Sequence, residues 1–114
     1  MEMISNEEKI TQAVLVSVDT GDYDAEASLA ELKELVKSAG AEPVFTVTQN
    51  LKRPETGTYV GTGKLQEIAD ICKQQEIDLL VFDCELSPTQ IRNIEAETDT
   101  RTIDRTMLIL DIFA

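Results

Sequence analysis

The chain has 114 residues, enough for one domain with its own core. It is 42% hydrophobic, carries no Trp and no His, and has a formal net charge of −12. That balance excludes a transmembrane span, a secreted disulfide scaffold and every Ser-His or Cys-His catalytic arrangement. An acidic chain is repelled by nucleic acid unless its few cations are clustered. The charge divides into −7 over residues 1–48 and −5 over residues 49–114.

Residues 1–11 are acidic and polar, unlike a signal peptide, and are expected to be a flexible lead-in. A domain is expected over residues 12–106. Residues 12–18, Gln-Ala-Val-Leu-Val-Ser-Val, are almost continuously apolar and read as a buried central strand. Asp19 to Asp24 is turn chemistry, with Asp24 a candidate N-cap. Leu29, Leu32, Val36 and Ala39 then recur at helical spacing until Gly40 stops the helix. Pro43–Thr48 is the second strand. Residues 49–63 are irregular and hold Lys52, Arg53 and the glycines Gly57, Gly61 and Gly63. From Lys64, the residues Leu65, Ile68, Ala69 and Cys72 mark a helix running to about Gln75. Leu79–Phe82 is the third strand. Ser87-Pro88-Thr89-Gln90 is a capping-box signature that opens a helix carrying Ile91 and Ile94 inward. Thr102-Ile103 reads as a short fourth strand. The β-α-β-α-β-α-β order predicts an α/β fold with a four-stranded parallel sheet and helices on both faces, and analogy with doubly wound folds suggests the strand order 2-1-3-4.

Several residues carry candidate chemistry. Gly61-Thr62-Gly63-Lys64 at a helix start offers free N–H groups and a cation to an anion. It fails the full phosphate-loop pattern, because position 58 is Thr and position 65 is Leu. The plain alternative is a Gly-rich turn with a solvated Lys64. Lys52 and Arg53 are either a solvated loop or, with Lys64, a basic patch on a long irregular segment where binding residues tend to sit. Asp19, Asp83 and Glu85 follow strand ends, where they serve as turn and cap residues or as oxygen ligands for a hard cation. No pair among them is singled out as acid and base, and no metal site is expected. Cys72 and Cys84 lack a metal-binding spacing and read as buried thiols. Gln90 is the cap partner, Arg92 and Asn93 are surface residues, and Asp104 or Thr106 is a candidate cap for a further helix. The apolar run Met107–Ala114 is expected to pack its first turn on this domain. The rest of it is read as the start of a helical linker cut short.

Together these blocks resemble the N-terminal domain of the HflX family. They are Arg53-Pro54, Tyr59-Val60-Gly61-Thr62-Gly63-Lys64, Val81-Phe82-Asp83, Glu85-Leu86-Ser87-Pro88, Arg92-Asn93, and Asp104-Arg105-Thr106 with Leu108-Ile109-Leu110-Asp111-Ile112-Phe113-Ala114. The resemblance implies a ribosome-associated GTPase that binds the large subunit and splits stalled ribosomes under stress in the cytoplasm. It implies a helical hairpin and a GTPase domain, with its GTP and Mg²⁺, beyond the residues present. This fragment is then expected to have no catalytic residue, no cofactor and no GTPase activity. Its expected partners are large-subunit RNA, contacted through Lys52, Arg53, Gly61, Thr62, Gly63 and Lys64, and its own hairpin and GTPase domain. Self-association through exposed Leu108–Phe113 is a further expectation. The alternative reading is a nucleotide-binding domain with an ATP or GTP site at Gly61–Lys64.

Overall fold

The computed structural model describes residues 9–112. Its elements in chain order are β1 (Thr11–Asp19), α1 (Ala25–Ser38), β2 (Ala41–Asn50), α2 (Thr62–Gln74), β3 (Leu79–Phe82), α3 (Pro88–Thr98), β4 (Arg101–Asp104) and α4 (Arg105–Ile112). All pairings are parallel, as the alternation of strands and helices predicts, and the sheet order is β2-β1-β3-β4, the order expected by analogy with doubly wound folds.

The period-two alternation of β1 builds both layers at once. Val14, Val16 and Val18 face α2 and α3, where they meet Leu65, Ile68, Cys72 and Ile94. Ala13 and Leu15 face α1 and α4, where they meet Leu32, Val36 and Leu108. Burial on both faces is why residues 13–16 read as one apolar run, although Ser17 is buried in the same strand.

Local signals hold the helices in place. Asp24 Oδ1 accepts from the Ala27 N–H at 3.0 Å and starts α1. Gly40, at φ +90°, turns the chain out of α1 in a conformation that strains an L side chain. Ser87 and Gln90 form the reciprocal capping box of α3. Asp104 caps α4 by accepting from the Met107 N–H at 2.9 Å.

Three elements differ from the sequence reading. β2 runs from Ala41 to Asn50, longer than expected, because its register with β1 shifts between Ala13 and Val14 and absorbs Pro43. An edge position and a bulge are where a strand tolerates proline. α2 begins at Thr62 rather than Lys64, with Gly61 as its N-cap. Of the apolar tail, Leu108 is only 3% exposed and belongs to the core, whereas Leu110 is 66% exposed. Leu108 is therefore unavailable for self-association, and Phe113 lies outside the described residues.

Candidate functional site

Doubly wound sheets bind ligands outside the carboxyl ends of their strands, where neighbouring connections diverge. Here that point lies between β1 and β3, and side chains of this domain fill it. Asp83, at the end of β3, has a side chain that is 1% exposed and meets Arg105 Nη1 at 2.9 Å. The same nitrogen donates to the carbonyl and the hydroxyl of Ser28 on α1, each at 3.2 Å. Nη2 pairs with Glu31 one turn further along α1. Arg105 thus ties the start of α4 to α1 and β3 together. Burial pushes the Asp83 carboxyl up from its usual value, and a hydrogen bond from Ser28 pulls against it.

Asp104 makes a second tie. Its Oδ1 caps α4, and its Oδ2 accepts from the Leu86 N–H at 2.8 Å. One buried carboxylate therefore serves both the loop after β3 and the helix after β4. Of the two candidate caps, Asp104 and Thr106, it is Asp104 that caps α4, while Arg105 shows no role in the sequence because its α1 partners Ser28 and Glu31 are 77 and 74 residues away.

The loop between β2 and α2 is also more ordered than its composition indicates. Glu55 and Tyr59 exchange two backbone hydrogen bonds of 3.0 Å. The N-terminal half of α3 grips the turn between them. Gln90 Nε2 donates to the carbonyls of Glu55 and Thr56, and Asn93 Nδ2 donates to that of Gly57 at 2.9 Å. Asn93, expected to be a plain surface residue, is thus a loop clamp. Tyr59 lies edge-on to Phe82 with ring centroids 6.2 Å apart, and Val60 is fully buried. The Cys84 thiol beside Tyr59 is pushed up to about 12, chiefly by burial and also by the carboxylates of Asp104, Asp83 and Glu85, against a lowering hydrogen bond from Tyr59.

The residues singled out as anion contacts fall into two places. Lys52 and Arg53 are exposed just after β2. Lys52 borders a depression with Asp19, Thr20, Gly21 and Asn50. Gly61, Thr62, Gly63 and Lys64 form the first turn of α2. The Gly61 N–H donates to Gln49 Oε1 at 2.9 Å, so this donor already has a partner. Thr62 borders a different depression, with Thr58, Leu65, Gln66 and Asn93. The Lys64 side chain is 23% exposed and pairs with Glu67 at 3.3 Å, so it is not the solvated cation of the plain alternative. Asp19 is used by its own turn, accepting from the Gly21 N–H at 2.9 Å. Asp83 meets Arg105 and Glu85 is exposed. Among the described residues no group of three or more His, Cys, Asp or Glu side chains is arranged to hold a metal ion. No described helix is long and apolar enough to cross a membrane.

The class these features define is a doubly wound α/β domain whose carboxyl edge is divided between a packed ion-pair network and an exposed basic loop. The family described as GTP-binding GTPase N-terminal matches residues 26–114. The chain is 51% identical to a GTPase HflX of Lacrimispora saccharolytica, over 99% of this chain and 27% of that protein. It is 47% identical to the GTPase HflX of Escherichia coli, over 90% of this chain and 24% of that one. A solved GTP-binding protein from the hyperthermophilic archaeon Sulfolobus solfataricus, in complex with GDP, superposes with a TM-score of 0.65 at 26% identity, over 92% of this chain and 30% of that chain. The chain belongs to the HflX family of GTPases, as its N-terminal domain. It spans about a quarter of the length of the curated relatives it matches.

Proposed function

We propose that this domain is the ribosome-binding and regulatory N-terminal module of an HflX-type GTPase that dissociates stalled ribosomes under stress in the cytoplasm. In this reading the domain hydrolyses no GTP itself. It presents Lys52 and Arg53 to large-subunit RNA and sets the direction in which α4 leads toward the hairpin and GTPase domain. GTP and Mg²⁺ belong to that GTPase domain. The observation that carries the reading is the division of the carboxyl edge. The crevice where a doubly wound sheet would take a nucleotide holds the Asp83–Arg105 pair, while two exposed cations stand on the neighbouring loop. Exposed cations on a rigid scaffold suit phosphate-backbone contact, which needs charge more than a pocket.

The test is co-sedimentation of the full-length protein with large subunits, comparing wild type with the Lys52→Glu, Arg53→Glu, Lys64→Glu variant. Weakened binding supports the reading, and unchanged binding refutes it. The geometry does not favour the alternative of a nucleotide site at Gly61–Lys64. There the Gly61 N–H is taken by Gln49 and Lys64 by Glu67.

A further inference from the structure

We infer, resting on the RNA-binding reading of Lys52 and Arg53, that the depression between the β1–α1 loop and the end of β2 is a nucleobase site, which takes one unpaired, amino-bearing base of the bound strand. The depression measures about 410 Å³, within the range of small-molecule sites. It lies at the carboxyl edge of the sheet, where doubly wound folds bind ligands. Asp19, Thr20 and Gly21 form one wall, and Asn50, Leu51 and Lys52 form the other. Lys52 therefore belongs both to the exposed basic loop and to the rim of the depression, which puts a phosphate contact next to a pocket.

Both walls are held by the protein itself. The Leu51 N–H donates to the Asp19 carbonyl at 3.2 Å and ties the two walls together. The Gly21 N–H donates to Asp19 Oδ1 at 2.9 Å, and the Thr20 hydroxyl donates to Asp22, which closes the turn. A site fixed in this way loses little conformational freedom when a ligand enters. Leu51, half-buried between the walls, offers an apolar surface to a flat ring.

Charge decides which part of a nucleotide goes where. Asp19 stands in one wall, and Asp22 and Asp24 are exposed on the same loop. These carboxylates repel phosphate, whereas Lys52 and Arg53 attract it on the opposite side. The strand therefore runs with its backbone along the cations and turns a base toward Asp19. Phosphate contacts position a strand, and base contacts select it. With Oδ1 engaged by Gly21, Asp19 has Oδ2 left for one donor, and an exocyclic amino group such as that of cytosine supplies it. Uracil has no amino group, and its one ring N–H is flanked by two carbonyl oxygens that repel a carboxylate. The Asn50 amide adds a donor and an acceptor for the same base edge. A Watson–Crick pair hides that edge, so the selected base comes from a loop, a bulge or an end.

The experiment is a fluorescence-anisotropy titration of this chain at low salt with labelled oligocytidylate and oligouridylate of equal length, which differ in the amino group. One hydrogen bond to a charged acceptor gives an expected preference for oligocytidylate of about tenfold. Asp19→Asn keeps an oxygen for the Gly21 N–H, so the unfolding curve stays that of wild type, but it replaces the charged acceptor and brings the ratio of the two affinities to about one. Lys52→Glu with Arg53→Glu weakens both probes alike and flattens the salt dependence. Equal affinity of the wild type for the two probes, both weakened by the Lys52, Arg53 double variant, overturns the nucleobase site and leaves the RNA reading standing. A preference for oligocytidylate that Asp19→Asn leaves unchanged also overturns the site. Binding of neither probe, or binding that the double variant leaves unchanged, overturns the RNA reading of the loop and the nucleobase site with it.

Discussion

The two halves of the carboxyl edge use charge in opposite ways. On the β3–β4 side, Asp83, Asp104 and Arg105 are partnered and largely buried, and each joins two or more elements. On the β1–β2 side, Lys52 and Arg53 are exposed and border open solvent. A buried charge needs a fixed partner, so it specifies geometry. An exposed charge keeps its field for something outside the molecule, at little cost to the fold. The most distinctive sequence blocks, Glu85-Leu86-Ser87-Pro88 and Asp104-Arg105-Thr106, fall on the packed side. They hold α4 against α1 and β3, and the surface proposed to meet RNA lies on the other loop.

The largest expected effect concerns Cys84, on the packed side. With its thiol pushed up to about 12 from 9.0, its thiolate population at neutral pH is about a thousandfold below that of an ordinary cysteine. A more basic thiolate is also a better nucleophile, so its reaction with a disulfide reagent in the native protein should be slower by roughly 30- to 60-fold on this ground alone and should recover in denaturant. Ordinary native reactivity would mean that the packed side is open to water.

Next is the Arg105 network. Arg105→Met leaves the Asp83 carboxylate buried beside an apolar chain. Breaking a buried pair costs roughly 3–5 kcal/mol, and the partial exposure of Arg105 places this one near the lower bound. Urea unfolding should show a loss of about 3 kcal/mol, with part regained in the Asp83→Asn, Arg105→Met double variant. A loss below about 1 kcal/mol, the scale of a surface pair, would erase the distinction between the two halves.

The capping box gives a smaller effect. Ser87→Ala removes the acceptor of the Gln90 N–H, at a cost of about 1 kcal/mol by the same measurement. Because Gln90 also holds the carbonyls of Glu55 and Thr56, the substitution should loosen the 55–60 turn, visible as faster amide exchange at Tyr59. Unchanged exchange there would separate the cap from the loop clamp.

These elements also show what a sequence can and cannot carry. The helix starts at Asp24 and Ser87 were legible because each rests on residues a few positions apart, whereas the strand order came only from analogy with doubly wound folds. The apolar run of β1 revealed a strand covered on both sides. The extent of β2 was not legible, because an edge strand with a bulge at Pro43 has half-exposed residues and no clean alternation. Arg105 looked like one cation among ten, since its partners Ser28 and Glu31 meet it only when α1 and α4 pack on one face. Asn93 looked like surface for the same reason: it is exposed, and its hydrogen bond reaches back 36 residues to Gly57. Of the candidate anion contacts, Lys52 and Arg53 stand in the open as a basic loop should. Lys64 does not, because Glu67 is one turn away on its own helix.

The central claim is that the exposed half of the edge meets RNA while the packed half orients the chain. The most direct measurement is large-subunit co-sedimentation of the full-length protein carrying Lys52→Glu and Arg53→Glu, beside Lys64→Glu alone. Surface substitutions of this kind should leave unfolding within about 0.5 kcal/mol of wild type, so a binding change cannot be read as misfolding. The account predicts at least a tenfold weaker association for the Lys52, Arg53 double variant and a small effect for Lys64→Glu. Wild-type association of the double variant, with its fold intact, would contradict it.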